Sequence, residues 1–269
     1  MSSTPTTQLV TSPDGTGITV DRCGAGPAVV LIGAGPTTRS NSMGLATSLA
    51  DRLTVFNYDR RGRGDSGDTQ PYSVDREFED LAAVLDLAGG SAAVYGTSGG
   101  AIWALEAASR DLEITGLVLW EPPYVLDDET THTRPVGYAD QVAELVADGR
   151  AGDAVELFLT VAAGVPSEIV ARMRDAPFWP QMEATANGLV YDAQLIGDFT
   201  LPAARLGTVT APTLVIDGGT IPWLSRTADA VAAAIPAARR QTLVGQPHNV
   251  ADDAIAPVIV DFVTTTTTT

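Results

Sequence analysis

The sequence predicts an α/β fold: a doubly wound, mostly parallel sheet with a helical segment inserted between two of its strands. Two observations predict the sheet. Short runs rich in β-branched residues recur along the chain, and several are apolar continuously rather than alternately. Strands covered on both faces, as in a parallel sheet, read that way. Stretches of helical periodicity lie between these runs, and strand alternating with helix argues for the doubly wound arrangement. A third observation predicts the insertion. The alternation breaks once, from residue 122 to 207, where no strand pattern occurs.

In chain order the strand runs are GITVDR (17–22), AVVLI (28–32), LTVFNY (53–58), AAVYG (92–96), ITGLVLW (114–120), PTLVID (212–217) and RQTLVG (240–245). Helical patterns fall at 41–51, 73–88, 99–110, 223–235 and 251–263. Inside the break, GYADQVAELVADG, AGDAVELFLTVAAG, SEIVARMRD and WPQMEATANGLV read as short helices. The expected organisation is a core made of residues 1–121 and 208–263 around a helical insertion, 122–207. The closing run of threonines, 264–269, is low in complexity and reads as a disordered tail.

Composition narrows the function classes. The chain has 269 residues, of which 45% are hydrophobic, enough for one large domain with an insertion. Its net charge is −17, a field that repels phosphate, so neither nucleic acid nor an anionic membrane is an expected partner. All 16 basic residues are arginine. Without lysine there is no Schiff-base chemistry and no Walker-type phosphate loop. Cys23 is alone, which leaves no intrachain disulfide and no cysteine metal cluster. The polar start MSSTPTTQLVTS lacks the basic and apolar regions of a signal peptide, and no run is long enough to span a bilayer. The expectation is a cytoplasmic protein without metal or cofactor. Oligomeric state is not legible.

One stretch carries chemistry. In AAVYGTSGGAIWAL (92–105) an apolar run ends in glycines around Ser98 and becomes helical again. A serine on a sharp strand-to-helix turn is held in a strained conformation with its hydroxyl raised above the sheet, and small neighbours let strand and helix approach. Gly96 and Gly100 fill those places, and Gly99 offers an N–H at the helix start where an oxyanion develops. The blander reading is a glycine-rich βα connection. A serine hydroxyl needs a base, and the chain has two histidines. His132, in the polar stretch DDETTHTRP, reads as a surface residue of the insertion. His248, in LVGQPHNVADD, follows the last strand run and so stands at the same carboxyl edge as Ser98, where open α/β sheets build their sites.

With these motifs the chain resembles the α/β-hydrolase fold proteins. VLIGAGP (30–36) stands where that family has its oxyanion loop, written H-G-x-P. YDRRGRGDSGD (58–68) stands at its D-x-R-G-x-G-x-S loop, YGTSGG (95–100) at the nucleophile turn and GQPH (245–248) at the histidine loop. The resemblance covers residues 8–121 and 208–263, and makes the insertion the helical cap. It implies Gly35 as a second oxyanion donor beside Gly99, while the loop's usual histidine is Gly33 here.

The resemblance implies two places for the acid that orients the histidine. The commoner is a G-x-x-D pattern after the strand at 212–217. Here VIDGGTIPW has no acid after its glycine, only Asp217 before it. The other is the end of the strand after the nucleophile helix, where LVLWEPPY has Glu121, 23 residues after Ser98. A charge there is costly unless partnered, and strand-end geometry favours Glu121 over Asp217. A Ser–His–Glu set with the acid in an EP turn resembles the fungal zearalenone lactonases, which also carry an aromatic P-x-W in the cap, as APFW does at 176–179.

Trp103, Tyr124, Trp179 and Trp223 are the expected substrate-binding aromatics. Arg60 and Arg61 read as structural. An acidic protein with an apolar site points to a small, neutral, hydrophobic ester or lactone. The alternative is a non-hydrolytic cyclase, isomerase or binding protein on the same scaffold, since fold does not fix function. Ser98 itself argues against epoxide hydrolase and dehalogenase chemistry, which needs an aspartate there.

Overall fold

In a computed structural model, which describes residues 4–110 and 112–266, the chain folds around one eight-stranded sheet. The strands are β1 (Thr6–Thr11), β2 (Gly17–Gly24), β3 (Ala28–Ile32), β4 (Thr54–Tyr58), β5 (Ala92–Thr97), β6 (Ile114–Trp120), β7 (Thr213–Gly219) and β8 (Ala238–Gln246). Their order is β1-β2-β4-β3-β5-β6-β7-β8. The pairings of β1 with β2 and of β2 with β4 are antiparallel, and the others are parallel.

The sheet is buried on both faces. Along β3, Val30 and Ile32 join one apolar cluster while Val29 and Leu31 join the other. Along β6, Leu117 and Leu119 alternate in the same way with Val118 and Trp120. Two-sided burial is why these strands read as continuous apolar runs. The sequence reading has no counterpart to β1. This edge strand, TTQLVT, is mostly polar: Leu9 is 68% exposed, Val10 packs on the core, and the strand is held by its antiparallel ladder to β2 and by the Thr7 hydroxyl donating to Asp21.

On the faces lie α1 (Met43–Leu49), α2 (Val74–Leu87) and α3 (Gly99–Ala108). Between β6 and β7 come α4 (Tyr138–Ala147), α5 (Ala151–Leu157), a π-helical turn (Phe158–Ala162), α6 (Ser167–Arg174), α7 (Trp179–Glu183), α8 (Ala186–Ile196) and α9 (Ala203–Leu206). The core resumes with α10 (Pro222–Ala234) and α11 (Asp252–Thr266). Among the described residues, the only β structure within the insertion is one isolated bridge, Val125 to Thr200. The disordered-tail reading is corrected at residues 264–266. They continue α11, where Thr264 and Thr266 donate their hydroxyls to the carbonyls of Val260 and Phe262 one turn back. Residues 267–269 lie outside the described residues. Among the described residues no helix is long and apolar enough to cross a membrane.

The loop after β4 locks the sheet edge with buried ion pairs. Arg60 meets Glu77 and Asp192, Arg61 meets Asp80 and Asp14, and Arg63 meets Asp192, at 2.7–2.9 Å. Asp59 accepts the N–H groups of Arg39 and Asp65. Arg60 and Arg61 are structural, as the sequence suggests, and Arg63 is bound into the same network.

Candidate active site

Ser98 sits between β5 and α3 with φ 54° and ψ −124°. A non-glycine residue there is strained. The turn is held because Ser98 N–H donates to the Trp120 carbonyl at 2.8 Å, and the Ser98 carbonyl accepts from Ala101 N–H at 2.9 Å. The flanking glycines are required by space. A Cβ on Gly96 would lie 2.3 Å from the Gly100 carbonyl oxygen, and one on Gly100 would lie 2.2 Å from that of Ile32. Gly99 opens α3, so its N–H has no helical acceptor and faces the end of the helix dipole that favours negative charge.

Glu121 follows β6 directly, with φ 44° and its side chain wholly buried. Its N–H donates to the Ile216 carbonyl at 2.9 Å, and its Oε1 accepts Gly218 N–H at 3.0 Å. Its Oε2 lies 2.6 Å from His248 Nδ1. The His248 loop is fixed from behind, because Trp120 Nε1 donates to the His248 carbonyl at 2.8 Å. A buried carboxylate on Nδ1 selects the tautomer whose Nε2 is free to take a proton. Ser98 and His248 line one cavity.

Asp217 is turned elsewhere. It pairs with Arg240 at 2.9 Å and accepts the Ser225 hydroxyl and Gly219 N–H. Burial would raise its pKa, but hydrogen bonds from Arg240, Ser225 and Thr242 hold it below the usual carboxylate value. Of the two acids considered from sequence, only Glu121 touches the imidazole.

The cavity holds about 500 Å³ and is walled largely by alanine, glycine, aliphatic and phenylalanine side chains, Phe158 of the π turn among them. Of the four aromatics expected there, Trp223 lines it and the other three do not. Trp103 donates Nε1 to Asp192 at 2.8 Å under the Arg60 guanidinium. Trp179 donates to Glu183 at 2.9 Å and packs under Arg174. Tyr124 is buried, its carbonyl holding Thr227 of α10. A buried indole or phenol goes where its polar tip finds a partner or its ring finds packing, and for these three that is within the protein.

Two residues that sequence reasoning missed complete the wall. His132 is half-buried rather than free on the surface. It lines the cavity and stacks on Trp223, with ring centroids 4.2 Å apart and planes 8° from parallel. Its loop is clipped to α10 by the Glu129–Arg226 ion pair at 2.6 Å. Asp192, on α8, also reaches the cavity, and its Oδ2 accepts Gly35 N–H at 2.7 Å. That bond corrects the assignment of Gly35 as a free oxyanion donor: Gly35 lines the cavity, but its amide is engaged. The neighbouring Ala34 also lines it, and Ala34 N–H has no acceptor among the described residues. The signal for Asp192 was a single acid in the otherwise uncharged helix ANGLVYDAQLI, set against a loop with three arginines. Among the described residues no group of three or more His, Cys, Asp or Glu side chains converges as a metal site.

Comparison with known proteins agrees with this architecture. The profile of the alpha/beta hydrolase family matches residues 29–259. The crystal structure of an alpha/beta hydrolase from Sphaerobacter thermophilus is 52% identical and covers 95% of this chain and 99% of its own, with a TM-score of 0.89. The esterase RhEst1 from Rhodococcus shares the fold, with a TM-score of 0.69 over 98% of this chain and 99% of its own at 20% identity. The hydrolase YraK of Bacillus subtilis, itself uncharacterized, is 24% identical over 73% of this chain and 72% of its own length.

Proposed function

The chain belongs to the alpha/beta hydrolase family, and from that premise we propose that it is a serine hydrolase cleaving a neutral, hydrophobic ester or lactone through an acyl-enzyme. Ser98 is the nucleophile, His248 the base and Glu121 the acid of this reading. The observation that carries it is the 2.6 Å contact between Glu121 and His248 Nδ1, at a cavity whose wall also holds Ser98.

In this reaction Ser98 Oγ attacks the ester carbonyl and His248 Nε2 takes its proton. Glu121 stabilises the imidazolium so formed. The carbonyl oxygen becomes an oxyanion beside Gly99 N–H. Collapse expels the alcohol, which receives the proton from His248 and leaves Ser98 acylated. Water, deprotonated by His248, attacks the acyl-enzyme. The acid is released and Ser98 recovers its proton. With a lactone the expelled alcohol stays tethered to the acyl group, and the product is one hydroxy acid.

The cavity supports the substrate class. No arginine lines it, and the one acid that does, Asp192, already holds donors on both oxygens. A bound carboxylate or amine would be desolvated there without a free arginine or carboxylate to offset its charge, whereas a neutral apolar group is favoured. The volume lies in the range of sites for small organic ligands.

Hydrolysis of a panel of p-nitrophenyl esters and aromatic lactones, beside fluorophosphonate labelling located by mass spectrometry, tests the reading. The expected result is turnover of apolar members and a single adduct on Ser98. Absence of labelling would favour a non-hydrolytic role for the pocket.

A further inference from the structure

We propose that Asp192, delivered by α8 of the insertion, is a positioning residue of the reaction: it fixes the 33–36 loop so that Ala34 N–H completes the oxyanion hole with Gly99 N–H. The proposal rests on the serine-hydrolase reading above.

Asp192 is buried and accepts four hydrogen bonds. Its Oδ1 takes Arg60 at 2.7 Å and Trp103 Nε1 at 2.8 Å, while its Oδ2 takes Gly35 N–H at 2.7 Å and Arg63 at 2.8 Å. A carboxylate with its acceptor sites filled in this way has no rotational freedom left. Arg63 also donates to the Gly35 carbonyl at 2.8 Å, so Gly35 is gripped by both its N–H and its C=O. Arg60 reaches the Gly33 carbonyl at 3.3 Å. In a trans peptide the N–H points opposite to the carbonyl of the same unit. The Gly33 carbonyl faces Arg60, so Ala34 N–H faces away from the arginines. Ala34 also stands against Gly99: a Cβ on Gly99 would lie 3.0 Å from that of Ala34, and both residues line the cavity. Burial would raise the Asp192 pKa, but Arg63 and Arg60 hold it below the usual carboxylate value, so the grip is ionic at working pH.

The insertion is thus part of the machinery that holds the transition state, beyond its role in covering the cavity. A loop displaced by a fraction of an ångström loses rate, not substrate affinity.

The test measures kcat and KM on one p-nitrophenyl ester, and inhibition by phenylboronic acid. The trigonal boron takes an electron pair from Ser98 Oγ, whose proton passes to His248, giving a tetrahedral anion in the oxyanion hole. For Asp192→Asn the expected result is a kcat lower by about 10²-fold, a KM within about three-fold, and boronate affinity reduced in step with kcat. Asp192→Glu keeps the arginine pairing while moving the carboxylate off Gly35, and is expected to show the same pattern if the amide does not fold. Trp103→Phe removes only an Oδ1 donor, so it should lower the melting temperature and leave kcat and boronate affinity within about two-fold. A folded Asp192→Glu with unimpaired kcat and boronate affinity overturns the proposal. So does a loss in Trp103→Phe as large as in the Asp192 variants, since that is what a purely structural role predicts. Wild-type labelling keeps the two readings apart: unlabelled wild type sinks the hydrolase reading, whereas labelled wild type with an unimpaired Asp192→Glu sinks this one alone.

Discussion

Glu121 Oε2 lies 2.6 Å from His248 Nδ1, with Glu121 wholly buried and the histidine side chain 40% exposed. The pair crosses from the end of β6 to the loop after β8, and β7 lies between those strands. Gly218 N–H, at the end of β7, bridges the gap by holding the other carboxylate oxygen. Among the described residues the imidazole is the only side chain that pairs with the Glu121 carboxylate. Its desolvation is therefore offset by this contact and by the Gly218 N–H.

Replacing Glu121 by Gln should keep shape and burial while removing the charge that stabilises the imidazolium. The expected loss in kcat/KM is about 10⁴-fold, because the amide also permits the wrong tautomer. Asp217→Asn should cost about ten-fold or less in kcat/KM, and should lower the melting temperature by loosening Arg240 and Ser225. Measuring both variants on one activated ester, each with a melting curve, decides the acid. The reverse ranking would move it to Asp217.

Ser98→Ala should reduce kcat/KM by roughly a million-fold, the scale of losing a nucleophile that acts with its base as a unit. Its φ of 54° also makes a stability prediction. Alanine keeps the strain and glycine relieves it, so Ser98→Gly should be as inactive as Ser98→Ala and melt higher. Equal melting temperatures would mean that the turn stores no strain.

Much of this site was legible because each proposed catalytic group ends or follows a strand, and strand runs are the clearest periodic signal in the chain. Ser98, Glu121 and His248 all stand at the carboxyl edge of β5, β6 and β8, where topology alone brings them near one another. The walls were less legible. Helical periodicity identifies α8 but does not say that its one acid points at Gly35, since that depends on how the insertion packs on the core. Trp103 and Trp179 mislead for a related reason: an aromatic residue signals burial, and the acceptor that fixes its indole, Asp192 or Glu183, is set by tertiary structure. His132 is hidden in a polar stretch whose acids read as solvent-facing, although Glu129 holds Arg226 and draws the loop onto α10.

Gly96→Ala and Gly100→Ala should abolish soluble expression or melt far below the wild type. Each new methyl meets a backbone carbonyl at 2.2–2.3 Å, which no side-chain rotation can relieve. Gly99→Ala is the control, because its nearest neighbour is the Ala34 methyl at 3.0 Å and the strand-to-helix crossing is untouched. It should fold, with its cost falling on activity. Expression and thermal melting of the three variants provide the measurement. A native-like Gly100→Ala would contradict the close approach of β3 to α3.

The stacked pair of His132 and Trp223 predicts a pH dependence of stability. Burial disfavours the imidazolium, and this outweighs the opposing pull of Glu129 and the Ala162 backbone, so the folded pKa lies below the ordinary 6.5. As pH falls through 6.5 the unfolded chain takes up a proton at this residue while the folded chain resists. The unfolded state then binds more protons, so this contribution is full above pH 6.5 and declines as pH drops toward the folded pKa. His132→Phe keeps an aromatic face on Trp223 and removes the titration. The fall in melting temperature between pH 8 and pH 5.5 should therefore be smaller in His132→Phe than in the wild type, by about 1–3 °C. If both proteins lose the same number of degrees, His132 is not held neutral by its place in the wall.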